Sequence, residues 1–141
     1  MPRDDPRPIE FFVDRALGSR KVAQALIAAG EVAHVHDELF AQDTLDVEWI
    51  PTVGARGWFV LTKDDALRRR VAELLAIRAA SLGVFALARA SLTGDEMAEV
   101  FVAALPSMKA IARRKERPFV AGVLRDGGVR MRLTAADLFR V

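Results

Sequence analysis

Two short apolar runs end in carboxylates, and each passes at once into a helical pattern. Residues 58–65 read WFVLTKDD, and residues 10–14 read EFFVD. A run this short, rich in aromatic and β-branched residues, has the pattern of a parallel strand covered on both faces. A strand that closes on Asp delivers its acid to the carboxyl edge of the sheet, where open α/β folds place their sites. Two such strands predict one shared acidic pocket.

The segments between them supply the crossovers. Residues 1–8, with three prolines and mixed charges, read as a flexible leader, and 9–141 as a single domain. Ile9–Val13 is the first strand. Ser19 can cap a helix that carries Val22, Ala23, Leu26 and Ile27 as its apolar stripe and stops at Gly30. Val32–His36 alternates as a second strand, which completes a right-handed parallel βαβ unit. The acid-rich stretch 37–46 reads as a loop. A short helix starts at Asp46 and runs to Ala55, with Pro51 placed to interrupt it.

Trp58–Leu61 is the third strand, and residues 62–65 turn into a helix with Leu67, Val71, Leu74 and Leu75 on one face. Leu82–Leu87 is the fourth strand and closes a core spanning residues 9–87. Thr93–Glu96 has the form of a capping box. It opens a helix with Met97, Val100, Phe101, Ala104, Leu105 and Met108 inward, which Pro106 is expected to kink or break. Phe119–Leu124 and Val129–Leu133 flank the turn sequence RDGG, so residues 93–133 add a helix and an antiparallel hairpin.

Composition removes several classes of function. At 141 residues and 52% hydrophobic the chain has the size and apolar content of one folded domain. No apolar run approaches the ~20 residues of a membrane span. The first ten residues lack the apolar core of a signal peptide, so the expected location is cytoplasmic, with no membrane partner. The absence of cysteine excludes disulfides, thiolate catalysis and zinc–thiolate sites. The formal charge is only +2, but basic residues cluster at Arg68–Arg70 and again at Lys109, Arg113, Arg114, Lys115 and Arg117. Cationic clusters beside an acidic pocket suit a phosphodiester polymer, and equally describe solvated helix faces. No P-loop, GxSxG or GxGxxG motif occurs.

Asp14, Asp46 and Asp64 are the candidate catalytic and metal-binding carboxylates. Hard oxygen ligands of this kind hold Mg²⁺ or Mn²⁺, and gathered carboxylates repel unless a cation lies among them. Asp46 and Asp64 also start helices, where Asp is a good cap, so each has a structural role open to it. Asp14 is harder to assign to such a role, because it directly ends an apolar strand and Gly18 and Ser19 provide a separate helix start. Asp65 and Glu48 are further metal-ligand candidates, with Asp43 weaker still. Thr62 is read as a supporting residue, as a helix cap or as a donor to a ligand carboxylate. Arg15, Lys63 and Arg68 are candidates for holding substrate phosphate. His34 and His36 share one strand face, as a two-histidine site or as partly buried strand residues. The tryptophans and phenylalanines read as core.

In this order the motifs resemble the PIN-like nucleases, in the compact branch that opens with FxVDxxL and closes its core with a hydrophobic run and TKD. The matching residues are Phe12-Val13-Asp14-Arg15-Ala16-Leu17 and Val60-Leu61-Thr62-Lys63-Asp64, with an Asp46-led helix between, over roughly residues 9–87. The resemblance implies a three-layer α/β/α sandwich with a mainly parallel central sheet, and a Mg²⁺- or Mn²⁺-dependent ribonuclease. It further implies the toxin of a toxin–antitoxin pair resembling the VapC type, with RNA as substrate, a cognate antitoxin as partner and a homodimer as the assembly. Asp14, Asp46 and Asp64 match the family's metal-binding carboxylates. The acidic residue that longer members carry between the first two strands has no clear counterpart, and Glu31 and the acidic stretch 37–43 are its substitutes. Two other readings stand beside this one. The first is a non-catalytic PIN-like module that binds nucleic acid or protein. The second is a receiver-like phosphoacceptor domain, whose Thr and Lys would lie on separate strands rather than adjacent as here.

Overall fold

The computed structural model describes residues 8–18, 20–63, 71–88 and 91–141. The leader up to residue 7, the Ser19 cap, and Asp64, Asp65, Leu67 and Arg68–Arg70 lie outside the described residues. The chain runs β1 (Glu10–Val13), a 3-10 turn (Arg15–Leu17), α1 (Lys21–Ala28), β2 (Val32–Val35), α2 (His36–Leu39), α3 (Asp46–Ala55) and β3 (Phe59–Lys63). It continues through α4 (Val71–Ala80), β4 (Gly83–Leu87), α5 (Gly94–Arg114), β5 (Phe119–Val123), β6 (Val129–Leu133) and α6 (Ala135–Leu138). One six-stranded sheet has the order β2-β1-β3-β4-β5-β6, parallel throughout except for the β5–β6 hairpin. The three-layer α/β fold with a C-terminal antiparallel pair is therefore as expected.

Strand alternation sorts the core into two layers. Phe11, Val13, Phe59, Leu61, Phe85 and Phe119 point to one face, where Val22 and Leu26 of α1 and Met97, Phe101, Leu105 and Met108 of α5 cover them. Phe12, Val60, Val84 and Val120 point to the other, beneath Trp49, Ile50 and Val53 of α3, Leu74 and Ile77 of α4, and Leu138 of α6. The step from β4 to β5 runs in the same direction as that from β3 to β4, yet α5 and α4 lie on opposite faces. These two crossovers consequently have opposite hands, although parallel crossovers share one hand almost everywhere. Without α5, the eight-residue α1 would be the main helical cover for that whole face, and α5 carries an apolar stripe long enough to complete it.

Several local expectations are corrected. The second strand ends at Val35, and His36 opens the one-turn helix α2 inside the stretch read as loop. The third strand extends through Thr62 and Lys63 rather than turning at Leu61. Neither proline breaks its helix. Pro106 and Pro51 lie on exposed faces, and Val102 and Val47, whose carbonyls lose a donor, are not buried residues, a setting in which water can serve a carbonyl. Along α4 the buried side chains are Glu73, Leu74 and Ile77, while Val71 is 61% exposed. The segment AELLAIRAA is apolar on several sides, so its periodicity does not choose a face. Ile27 likewise points outward from α1. Helix α6 is additional: Thr134 and Asp137 cap it reciprocally, a T-x-x-D signal legible in the sequence. No described helix is long and apolar enough to cross a membrane.

Helices α3 and α4 approach closely at Gly54, where an added Cβ would lie 2.6 Å from both Cβ and the carbonyl oxygen of Ala80. Helix propensity alone favours Ala over Gly by about 1 kcal/mol. Overpacking against backbone costs about 1–3 kcal/mol, and it should win. Gly54→Ala is expected to lower the midpoint of chemical denaturation; a raised midpoint would contradict the close approach.

Candidate functional site

The strand order fixes where a site can form. From β1 the chain crosses by α1 on one face to β2, and from β3 it crosses by α4 on the opposite face to β4. The carboxyl ends of β1 and β3 therefore border a topological switch point, the crevice where open α/β sheets bind ligands. Val13 pairs with Val35 on one side and Leu61 on the other, so the next residues, His36, Asp14 and Thr62, come side by side. The Asp14 N–H donates to the Leu61 carbonyl at 2.9 Å and extends the ladder by one bond. Asp14 follows Phe12 by two residues, and Thr62 follows Val60 by two. Both side chains thus face the layer covered by α3.

That geometry buries Asp14 to 6% exposure beside Thr62 at 0% and His36 at 1%. The Thr62 hydroxyl donates to Asp14 Oδ2 at 2.6 Å, the short distance of a bond to a charged acceptor. Burial pushes the Asp14 carboxyl above its ordinary range. The Thr62 bond opposes that shift, the charge of Asp46 adds to it, and the charge of His36 and a backbone bond from Ala16 oppose it.

Asp46 is the first residue of α3, whose start overhangs the same layer. Its Oδ1 accepts from the Trp49 indole N–H at 3.0 Å, and Trp49 is held against Phe12 with ring centroids 4.9 Å apart. Glu48 turns back instead, its Oε1 accepting from the Leu45 N–H at 2.9 Å to close the first turn. Trp49 is thus core, as expected, and also a donor to Asp46. The D-x-x-W spacing, three residues apart on a helix, was the available signal for that contact.

The other candidates separate. Asp37 Oδ1 lies 2.9 Å from His36 Nδ1, and that bond holds the Asp37 carboxyl below its usual range, with Gln42 and the charges of His36 and Arg15 contributing. Arg15 therefore stands near Asp37 on the same edge. Lys63 is exposed at the end of β3, and Asp43 is exposed. Glu31 precedes β2 at the opposite edge of the sheet and is bound to Lys109 at 3.0 Å, so it is no substitute ligand. His34 and His36 do not form a pair: His34 contacts Glu10 at 2.8 Å and stacks on Trp58 at 3.7 Å. Asp64, Asp65 and Arg68 lie outside the described residues.

Among the described residues no three His, Asp or Glu side chains gather closely enough to hold a metal ion. What is gathered is a buried carboxylate whose ionisation is opposed by its burial and by a neighbouring carboxylate. A hard divalent cation relieves both, so the donor chemistry fits Mg²⁺ or Mn²⁺.

A carboxyl raised on folding contributes its full stability below its unfolded pKa and loses it as pH climbs through the folded pKa. In metal-free protein at neutral pH, Asp14→Asn is therefore expected to melt at a higher temperature than wild type, with the gap closing on acidification. An Asn variant that is less stable at pH 7 and at low pH alike would contradict the strained carboxylate. Thr62→Val removes the opposing bond and should cost about 1.5–3 kcal/mol at pH 7, while Thr62→Ser restores most of it. Equal losses in both variants would assign the effect to packing alone.

A match to the family described as "PIN like domain" covers residues 9–89. A Mycobacterium tuberculosis protein, "Putative ribonuclease VapC45", is 31% identical over 114 residues, which cover 78% of this chain and 82% of that one. No solved structure matches. With the family match spanning more than half of its length, including both strands that bear the pocket, the chain belongs to the PIN-like domain family.

Proposed function

We propose that this protein is a metal-dependent ribonuclease that hydrolyses RNA phosphodiester bonds at the carboxyl edge of its sheet, as the toxin of a toxin–antitoxin pair. The observation that carries the reading is the buried Asp14 at the switch point, held by Thr62 and opposed by the charge of Asp46. Family membership and the ribonuclease name of the Mycobacterium relative support it. Its setting would be the cytoplasm, with an antitoxin and a second copy of the chain as protein partners.

Asp14, Asp46 and Asp64 are the proposed ligands of Mg²⁺ or Mn²⁺, with Asp65 as a further proposed ligand. A cation bound there would supply an activated water and charge neutralisation at the leaving oxygen. The remaining roles belong to the chain. Thr62 fixes one oxygen of Asp14, and the Ala16 backbone bonds the same carboxylate. Trp49 fixes one oxygen of Asp46 in the same way. Arg15, Lys63 and Arg68 are proposed to hold phosphates beside the scissile bond. The buried flank of Phe12 and Trp49 excludes water from the side of the pocket opposite the substrate.

Purified protein incubated with a mixed structured RNA pool is expected to cleave with Mn²⁺ or Mg²⁺, to stop with EDTA, and to lose at least about a hundredfold in rate in Asp14→Asn, a loss typical of removing a group that stabilises the transition state. Binding of the pool without cleavage in either metal, by folded protein, would favour the non-catalytic module.

A further inference from the structure

The basic cluster of α5 does not border the acidic pocket. That helix runs back across the sheet to the start of β5, so its end lies at the amino edge of the strands. A cation on the pocket's own face comes from β6 instead. Along β5, Ala121 and Val123 pack into the layer under α1 and α5, and Val120 into the layer under α3 and α4. Alternation therefore aims Gly122 at the second layer, the one that holds Asp14 and Thr62. A Cβ built on Gly122 would lie 2.6 Å from Arg132 Nε, 3.2 Å from Nη2 and 3.3 Å from Cζ. The Arg132 guanidinium rests on Gly122, in the space that a side chain there would fill.

Two departures from regular strand structure produce this seat. Glycine inside a strand gives up side-chain packing, and it occurs where another group approaches the backbone closely. The β5–β6 pairing shifts between Val120, opposite Leu133, and Ala121, opposite Met131, which leaves Arg132 as the extra residue of a bulge. Bulges re-aim a side chain and are over-represented beside sites. The strand register carries the seat to the pocket. Gly122 pairs with Ala86, Ala86 pairs with Thr62, and Thr62 donates to Asp14. Gly122 therefore lies in the same cross-sheet row as Asp14, three strand spacings away, about 14 Å.

We infer that Arg132, seated on Gly122, holds a phosphate of the RNA strand that flanks the scissile one. The inference rests on the reading of the carboxylate pocket as a ribonuclease site. Arg132 Nε is buried and has no hydrogen-bond partner among the described residues, while the residue as a whole is half-buried. A guanidinium kept only to cover the backbone would be expected to donate to a carbonyl or an acid, because an uncompensated charge is costly away from water. An anion compensates it, and the planar N–H groups of a guanidinium suit phosphate oxygens. The seat holds the group too far from Asp14 to serve the scissile phosphate, so its phosphate is another one along the strand. A carboxylate on a protein partner is the competing occupant. The shared row with Asp14 and Thr62 favours the strand that is hydrolysed there.

The test measures equilibrium binding of a short single-stranded oligoribonucleotide over a range of salt, with EDTA present so that nothing is cleaved. Cleavage of the same strand with Mn²⁺ or Mg²⁺ is followed in parallel. Arg132→Gln is expected to weaken binding about tenfold, the effect of one charge-assisted contact. It should also flatten the dependence of log affinity on log salt by about 0.7, the share of one phosphate in a single strand. Arg132→Lys keeps the charge and loses the fork, so it should restore the slope and only part of the affinity. Gly122→Ala keeps the charge and unseats it. The new Cβ would meet the far end of a flexible side chain, so the fold should stand, as circular dichroism verifies, while affinity falls as in Arg132→Gln. The two substitutions together should cost no more than either alone, because they remove one shared contact.

Affinity and salt slope unchanged in Arg132→Gln would overturn the inference and leave the ribonuclease reading in place. Losses that add in the double variant would overturn it too, since the seat would then be unconnected with the strand. An acidic peptide bound by wild type and lost in Arg132→Gln, with RNA bound equally by both, would assign the guanidinium to a protein partner instead. The expected losses in binding without cleavage in either metal would keep the contact and reject the ribonuclease. Failure of folded wild type to bind RNA would overturn both.

Discussion

The 2.6 Å bond from Thr62 to Asp14 joins the two central strands at the point where the sheet divides its crossovers. It is a compromise between opposed effects. An ionised carboxyl at 6% exposure is unfavourable, and a short hydroxyl donor offsets only part of that. The rest of the pocket sharpens the imbalance, because Asp46 is held nearby by Trp49 rather than turned away. A buried carboxylate with a second, partly buried acid raising its cost of ionisation has a cation as its natural complement.

What positions these groups is the ordinary arithmetic of strands and helices. Alternation along β1 and β3 puts Asp14 and Thr62 on the face of Phe12 and Val60. The same face receives the start of α3, and with it Asp46. The aromatic contacts of Phe12 with Trp49 make that start rigid, so a core packing interaction becomes a constraint on the site. At the other edge of the sheet, the rings of Trp58 and Phe59 carry Arg56 and Arg117 instead.

Much of this was legible in the sequence because each strand's apolar run stops on its functional residue. EFFVD announces the buried first strand and the edge to which it delivers Asp14, and VLT announces the neighbouring strand that brings Thr62 beside it. The RDGG turn and the Thr93 cap were equally direct, and the cap is met by Glu96 in both directions. The turn places Gly127 at φ +88°, a conformation suited to glycine. Legibility failed where a local pattern admits two answers. The α4 segment is apolar on too many sides for its buried face to be chosen, and whether Pro106 interrupts its helix depends on the surroundings of the turn before it, which the sequence does not state. The hand of the α5 crossover, and hence the separation of its arginines from the carboxylates, depends on which face needs cover. That is a property of the assembled sheet, and no window of sequence contains it.

The most direct test of the central claim is a titration of the metal-free protein with Mn²⁺, followed by the electron paramagnetic resonance signal of the free ion, beside Asp14→Asn and Asp46→Asn. The account predicts that wild type removes Mn²⁺ from solution and that each variant, folded by circular dichroism, takes up at least about tenfold less at the same concentration, as expected when one charged ligand is lost. Uptake by the variants equal to that of wild type, or none by any of the three, would contradict a metal site built on these carboxylates.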